Sequence, residues 1–152
     1  MARTVFVLNG PNLNLLGVRE PDIYGTTTLA DIEAMCAERA GDLGIEVDFR
    51  QTNSETTMVD WIQEAFTSKA AGLVINPAGL SFHSVPVLDA LRIFRWPIVE
   101  LHISNIHARD EAHRHSLMSA AATAVIAGMG AHGYILALDG IAALIHHGAP
   151  KT

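Results

Sequence analysis

Polar side chains that can bind oxygen atoms or move protons stand at the ends of apolar runs in this 152-residue chain. Asn9 and Asn12 follow an apolar run over 5–8, and Asn76 follows another over 72–75. Glu100 and His102 sit in a third run and point to the same side of any strand, because strand side chains alternate. Such groups gathered at one rim are typical of a binding or catalytic site, and proton transfer is a reaction that they could carry out.

The elements that must position these residues are predicted by alternating patterns. Strand-like runs cover 5–9, 45–50, 72–75, 97–103 and 122–127, and helix-like segments follow each of them. Thr28 and Gly44 bracket the first helix, and the helix over 84–94 is expected to turn Val85, Leu88 and Leu91 inward, with Ile93 or Phe94. We predict an α/β three-layer sandwich, a flavodoxin-like five-stranded parallel sheet of order 2-1-3-4-5, as one domain over 1–152.

Composition limits the function classes. The formal charge is −6 and no run of basic residues occurs, which argues against a nucleic-acid partner. Residues 116–138 lack Asp, Glu, Lys and Arg, but glycines at 128 and 130 split them into a strand and a helix start, so we expect no membrane span. A chain with 49% hydrophobic and 17% charged residues is apolar enough to predict a homo-oligomer.

The N-terminus and the single cysteine both fit a cytoplasmic protein without disulfide bonds. The chain starts directly into a strand with no secretory signal pattern, so a cytoplasmic location is expected. Cys36 is alone, which excludes an intramolecular disulfide and a cysteine metal cage, and its spacing among apolar residues favours a buried hydrophobe.

Absent motifs narrow the chemistry further. The chain has no nucleophile elbow, no phosphate loop and no dinucleotide fingerprint after its first strand. A G-x-G-x-x-G pattern at 128–133 follows the last strand instead, where close helix–sheet packing explains it better. The spacings of His102, His107, His113 and His115 match no familiar zinc pattern, so no metal and no cofactor are expected. Proton transfer by Tyr, His and Arg remains.

Several motifs together resemble the type II 3-dehydroquinate dehydratases, and the match is collinear over nearly the whole chain. It is carried by segments 9–17, 19–25, 51–55, 75–77, 100–105, 109–111 and 128–138, of which NGPNLNLLG and ELHISN are the most specific. The resemblance implies a flavodoxin-like subunit in a dodecamer, a tetramer of trimers. It also implies trans elimination of water from 3-dehydroquinate through an enolate, giving 3-dehydroshikimate without metal or Schiff base.

The resemblance also implies roles for individual residues. Tyr24 looks like the base that removes the C2 proton, and Arg19 like its activator on a lid. Asn12 matches the residue that stabilises the enolate oxygen through a water, and His102, oriented by Glu100, matches the acid for the departing C1 hydroxyl. The implied binding contacts are Asn76, the backbone N–H groups of Ile103 and Ser104, Arg109, and Asp89 reaching a neighbouring subunit's site.

Two departures from the family pattern concern substrate binding. Phe82 stands where the family has a substrate-binding histidine, and His83 follows one place on; His113 stands where the family usually has arginine, with Arg114 adjacent. We therefore keep His83, His113 and Arg114 as candidate binding residues. Two alternatives remain: a paralogue that dehydrates a related hydroxylated cyclohexanone carboxylate, and a non-catalytic flavodoxin-like binding module.

Overall fold

Five parallel strands form one sheet in the order β2-β1-β3-β4-β5 in the computed structural model of the protein. It describes residues 3–18 and 20–148, apart from the side chains of residues 23 and 24. The strands are β1 Arg3–Asn9, β2 Ile45–Gln51, β3 Gly72–Asn76, β4 Ile98–His102 and β5 Ala124–Ala127, and the helices are α1 Pro21–Tyr24, α2 Leu29–Leu43, α3 Glu55–Thr67, α4 Val85–Ile93 and α5 His132–His146. The predicted fold class and strand order are confirmed.

The central strands are buried on both faces, which makes the molecule a three-layer sandwich. Val5 and Val7 of β1 pack with residues of α2 and α5, whereas Phe6 and Leu8 pack with residues of α3 and α4. This alternation explains why the strand is a continuous apolar run. Cys36 lies fully buried in the α2–α5 layer, and burial raises the pKa of its thiol to about 12, which fits the role of a small hydrophobe.

The predicted ends of α2 at Thr28 and Gly44 are confirmed. Thr28 and Asp31 form a reciprocal capping box at the start of α2, and Gly44 ends that helix in the left-handed conformation. The predicted inward position of Val85 is wrong, because its side chain is 53% exposed. Ser84 caps α4, so Val85 begins the helix on its outer side, and Val87, Ala90 and Leu91 form its buried face.

The uncharged segment 116–138 folds as separate short elements. It contains a 3₁₀ helix Leu117–Ala120, then β5 and the first half of α5. Among the helices described, none combines the length and the apolar character needed to cross a bilayer. The glycine pattern at 128–133 has a packing role, because a side chain at Gly133 would meet Leu101 Cδ1 at 2.8 Å.

The strand ends converge as the topology requires. Asn9 is in register with Gln51 on one side and Asn76 on the other, and His102 is in register with Ala127. Immediately after β1, the Gly10 N–H donates to the Asn76 carbonyl at 2.9 Å. A side chain at position 10 would meet the Pro77 carbonyl oxygen at 2.4 Å, so only glycine lets the two loops lie this close.

Candidate active site

A cavity of about 250 Å³ lies at the carboxyl ends of the strands, where the sequence predicts a site. Its volume is near the lower end for small-molecule pockets (~300–1,000 Å³), which suits a single substituted ring. Its polar lining residues are Asn12, Asn76, His102, Ser104, Arg109 and His113, and its larger apolar lining residues are Leu13, Leu16, Phe82, Ile103 and Ile106.

Glu100 and His102 form a buried pair on β4. The carboxylate is fully buried, the imidazole is 4% exposed, and Glu100 Oε2 contacts His102 Nε2. Ser119, which the sequence did not mark as functional, donates to Glu100 Oε1 at 2.6 Å. Burial favours the protonated acid, but hydrogen bonds from His102, Ser119 and Ser116 outweigh it and hold the pKa of Glu100 below its ordinary value. The pair can therefore hold a charged carboxylate behind an imidazole at the pocket wall.

The loop after β1 is tied to the loop after β2. Asn12 has a left-handed backbone, and its N–H donates to Asn53 Oδ1 at 3.0 Å. Gln51 Nε2 donates to the same Asn53 oxygen at 3.0 Å and to the Gly10 carbonyl at 3.2 Å. These bonds leave the Asn12 side chain exposed at the pocket, where an amide can donate to a ligand oxygen or a water.

Asn76 is held by a buried network that the sequence did not reveal. Tyr134 of α5 accepts from Asn76 Nδ2 at 3.0 Å and donates to Asn9 Oδ1 at 2.6 Å. Asn9 Nδ2 donates to the Arg50 carbonyl at 3.0 Å, so Asn9 supports the strand ends and does not line the pocket. Burial raises the pKa of Tyr134, which keeps this phenol protonated. The network fixes the side chain of Asn76 at the cavity.

Tyr134→Phe is expected to lower the free energy of unfolding by about 1–3 kcal/mol, because it leaves Asn9 Oδ1 and Asn76 Nδ2 buried without this partner. Urea unfolding followed by circular dichroism measures the change. Ser68→Ala, which removes a hydroxyl bonded only to the Ala65 carbonyl at 3.4 Å, is the matched control. An unchanged midpoint for Tyr134→Phe would mean that the network does not contribute to stability.

Phe82 and His113, which we interpret from the sequence as departures from the family pattern, contact each other. The rings of Phe82 and His113 meet edge to face, with centroids 5.4 Å apart and planes at 80°. His113 Nδ1 is 2.7 Å from Asp110 Oδ1, which orients the imidazole. This aromatic pair, Phe82 and His113, forms part of the pocket wall.

Other predicted binding residues lie apart from this pocket. His83 is exposed and is not among the lining residues, and Arg114 Nη2 pairs with Glu111 Oε2 at 3.1 Å. Asp89 is exposed on α4, also outside the lining. The pocket thus brings together Asn12, Asn76, His102, Ile103, Ser104, Arg109 and His113, with Glu100 directly behind His102.

The predicted base, Tyr24, and its predicted activator, Arg19, are not fully covered by the described residues. Arg19 lies outside the described residues, and so does the side chain of Tyr24, whose backbone ends α1. Within residues 3–18 and 20–148, no group of three or more His, Cys, Asp or Glu side chains could hold a metal ion.

Comparisons with known proteins show the family of this chain. The family described as Dehydroquinase class II matches residues 3–142. A 3-dehydroquinate dehydratase of Rhizobium meliloti (strain 1021) is 57% identical over 141 residues, covering 93% of this chain and 95% of the relative. One from Brucella canis is 56% identical over 144 residues, covering 95% and 91%. The crystal structure of type II dehydroquinase from Propionibacterium acnes superposes with a TM-score of 0.90 at 48% identity, covering 94% of this chain and 98% of that one. The chain belongs to the class II dehydroquinase family.

Proposed function

We propose that the protein is a 3-dehydroquinate dehydratase, a hydro-lyase that converts 3-dehydroquinate into 3-dehydroshikimate and water. The observation that carries the proposal is the buried Glu100–His102 pair at a ring-sized pocket whose other polar groups are two amides, a hydroxyl, a guanidinium and a second imidazole. Family membership and relatives of that name at 56–57% identity support it. We further propose that residues 1–152 act as a single catalytic domain.

The proposed reaction divides the proton transfers between two side chains. Tyr24, as phenolate, takes the C2 proton, and the electron pair of that C–H bond forms an enolate with the C3 carbonyl. Asn12, through a water, stabilises the enolate oxygen. Collapse of the enolate breaks the C1–O bond, and His102 gives its proton to the departing hydroxyl, which leaves as water. Because both proton donors and acceptors are side chains, the proposed reaction uses no cofactor and no metal.

The substrate carboxylate needs a cationic or N–H-rich partner. Arg109 lines the pocket, and in the described part of the chain it has no carboxylate partner. We propose that Arg109 and the backbone N–H groups of Ile103 and Ser104 bind substrate oxygens, with Asn76 as a further contact. His83 and Arg114 remain proposed contacts only if the backbone around them moves on binding.

The direct test is turnover of 3-dehydroquinate, followed by the ultraviolet absorbance of the conjugated enone product. We expect the absorbance to rise in proportion to enzyme concentration. No rise at high enzyme concentration would refute the dehydratase function and favour the non-catalytic binding module.

A second candidate function is dehydration of a related cyclohexanone carboxylate that carries one ring hydroxyl fewer. The aromatic pair favours it, because Phe82 offers no hydrogen bond to a hydroxyl and Asp110 holds His113 Nδ1, which leaves only Nε2 of this pair to bind one. A site that hydrogen-bonds a hydroxyl strongly rejects the analogue that lacks it, whereas an apolar wall does not.

We therefore predict that removing one ring hydroxyl costs the wild-type enzyme less than about tenfold in kcat/KM. Phe82→His should increase this discrimination, because an imidazole adds a hydrogen-bonding atom to the wall. Phe82→Leu, which is equally apolar, is the control. If the wild type already discriminates by several orders of magnitude, the apolar wall does not face a hydroxyl position.

We propose that the protein is a homo-oligomer and that the oligomer is a dodecamer, arranged as a tetramer of trimers. We also propose a cytoplasmic location. Val125 on the edge strand β5 and Met129 just after it are 43% and 52% exposed, which is unusual for an edge that meets only water. In such an assembly Asp89, exposed on α4, would contribute to a neighbouring subunit's site. Light scattering during size exclusion measures the mass, and a monomer would contradict the proposal.

A further inference from the structure

A serine outside the pocket lining holds the carboxylate that contacts His102. The Ser119 hydroxyl donates to Glu100 Oε1 at 2.6 Å, while the other carboxylate oxygen, Oε2, contacts His102 Nε2. The two oxygens thus have separate partners, and rotation of the carboxylate would break both contacts. We infer that Ser119 is a positioning residue for the Glu100–His102 pair, an inference that rests on the proposed dehydratase function.

The position of Ser119 is itself fixed by packing. It lies in the 3₁₀ helix Leu117–Ala120, whose first turn is capped by Ser116 Oγ accepting from the Met118 N–H at 3.2 Å. Met118 is fully buried in the layer between the sheet and α4. Ser119 itself is exposed, and its buried neighbour Met118 anchors the turn in the core and so places the serine hydroxyl beside the Glu100 carboxylate.

The surroundings of Glu100 make the hydrogen bond from Ser119 important for the charge of the buried carboxylate. Its register partners, Ile75 on β3 and Val125 on β5, do not titrate. Among the residues described, His102 is the titratable side chain in contact with the Glu100 carboxylate, and the Ser119 and Ser116 hydroxyls are its other hydrogen-bond partners. A buried carboxylate depends on its hydrogen-bond donors to stay charged, so losing the Ser119 donor destabilises that charge even though His102 and Ser116 remain.

The inference predicts a coupled change in titration. The Glu100 carboxylate and the His102 imidazole are in contact, so a change in the charge of one affects the other, and Arg109 and His113 are the other titratable groups that share the pocket wall with His102. Without the Ser119 donor, the negative charge of the Glu100 carboxylate is less well stabilised. The pair of Glu100 and His102 should therefore bind its next proton at a higher pH. At the same time the carboxylate no longer holds the imidazole in one orientation, so proton donation is less efficient.

The test compares Ser119→Ala, Ser119→Thr and the distant control Ser68→Ala in the full-length protein. For Ser119→Ala we expect kcat for 3-dehydroquinate to fall about tenfold. The descending limb of its kcat–pH profile should move up by about half a pH unit to one unit. Ser119→Thr keeps a hydroxyl and should restore both values, and Ser68→Ala should leave both unchanged.

A second measurement does not depend on turnover. The ring resonances of His102, assigned by their loss in His102→Gln, are followed by NMR as pH changes in the wild type and in Ser119→Ala. We expect the midpoint of the His102 titration to lie at a higher pH in Ser119→Ala than in the wild type. This result does not depend on 3-dehydroquinate being the substrate. An unchanged midpoint of the His102 titration would overturn the positioning role. So would a lower kcat that Ser119→Thr does not restore, if the descending limb of the kcat–pH profile stays in place. Failure of wild-type turnover alone would refute only the proposed function.

Discussion

Replacing His102 with glutamine is expected to lower kcat for 3-dehydroquinate by about 10²–10⁴-fold, the usual contribution of a positioned general acid. A glutamine amide can still donate to the Glu100 carboxylate, as the imidazole Nε2 does now, but it cannot protonate the departing hydroxyl. Substrate binding should change much less, because the other polar groups of the pocket remain. The measurement is kcat and KM from the rise in product absorbance.

Glutamine is preferred to alanine because of the buried charge behind the ring. Alanine would leave the fully buried Glu100 carboxylate without its histidine partner, a change that typically costs about 3–5 kcal/mol. Loss of folding would then imitate loss of catalysis. His107→Gln, an exposed histidine outside the pocket lining, is the matched control and should keep wild-type turnover. Comparable kcat values for His102→Gln and the wild type would remove His102 from the acid role.

The sequence predicts those parts of the site that depend on local rules. The same-face placement of Glu100 and His102 follows from the two-residue period of a strand, and the structure brings their side chains into contact. The gathering of Asn12, Asn76 and His102 follows from the parallel topology, because the carboxyl ends of the strands lie at one edge. Helix ends such as Thr28 and Gly44 were predictable because capping depends on residues within one turn.

The parts that could not be predicted depend on contacts between distant residues. Tyr134 bonds to Asn76 and Asn9, which are 58 and 125 residues away, and no local pattern marks a tyrosine in α5 as their partner. Ser119 lies in a turn rich in serine and alanine, where nothing in its residue type distinguishes a carboxylate donor from a solvated hydroxyl. The direction of Val85 depended on which residue caps α4.

The contact between Phe82 and His113 shows the same limit. The resemblance to the family predicts that both positions depart from its usual pattern, but their contact depends on how two 3₁₀ helices, Ala78–Phe82 and Glu111–His113, pack together. A histidine-to-phenylalanine change taken alone suggests a lost hydrogen bond. The edge-to-face contact shows that the change at 113 supplies a ring partner for Phe82, so we interpret the two changes as one altered wall.

Tyr24→Phe is the second large effect that we expect, with kcat lowered by about 10²–10⁴-fold, because phenylalanine cannot take the C2 proton that the proposed reaction assigns to Tyr24. The proposal requires the Tyr24 phenol, with a reference pKa of about 10, to ionise near neutral pH, which takes roughly 4 kcal/mol of electrostatic stabilisation. Guanidinium groups can supply it because they stay protonated, and we propose Arg19 and Arg109 for that role. Wild-type turnover in Tyr24→Phe would contradict the assignment.

The chain offers a direct spectroscopic test of this ionisation because it contains only two tyrosines. Tyr134 is buried, and burial raises the pKa of its phenol, so it should ionise only at high pH. In Tyr134→Phe the near-ultraviolet absorbance of tyrosinate therefore reports Tyr24 alone. With product bound, we expect its midpoint to lie at least about two units below the reference value near 10, and Arg19→Ala should move it back upward. A midpoint near 10 in the product complex would mean that Tyr24 remains a neutral phenol, and another group would have to take the C2 proton.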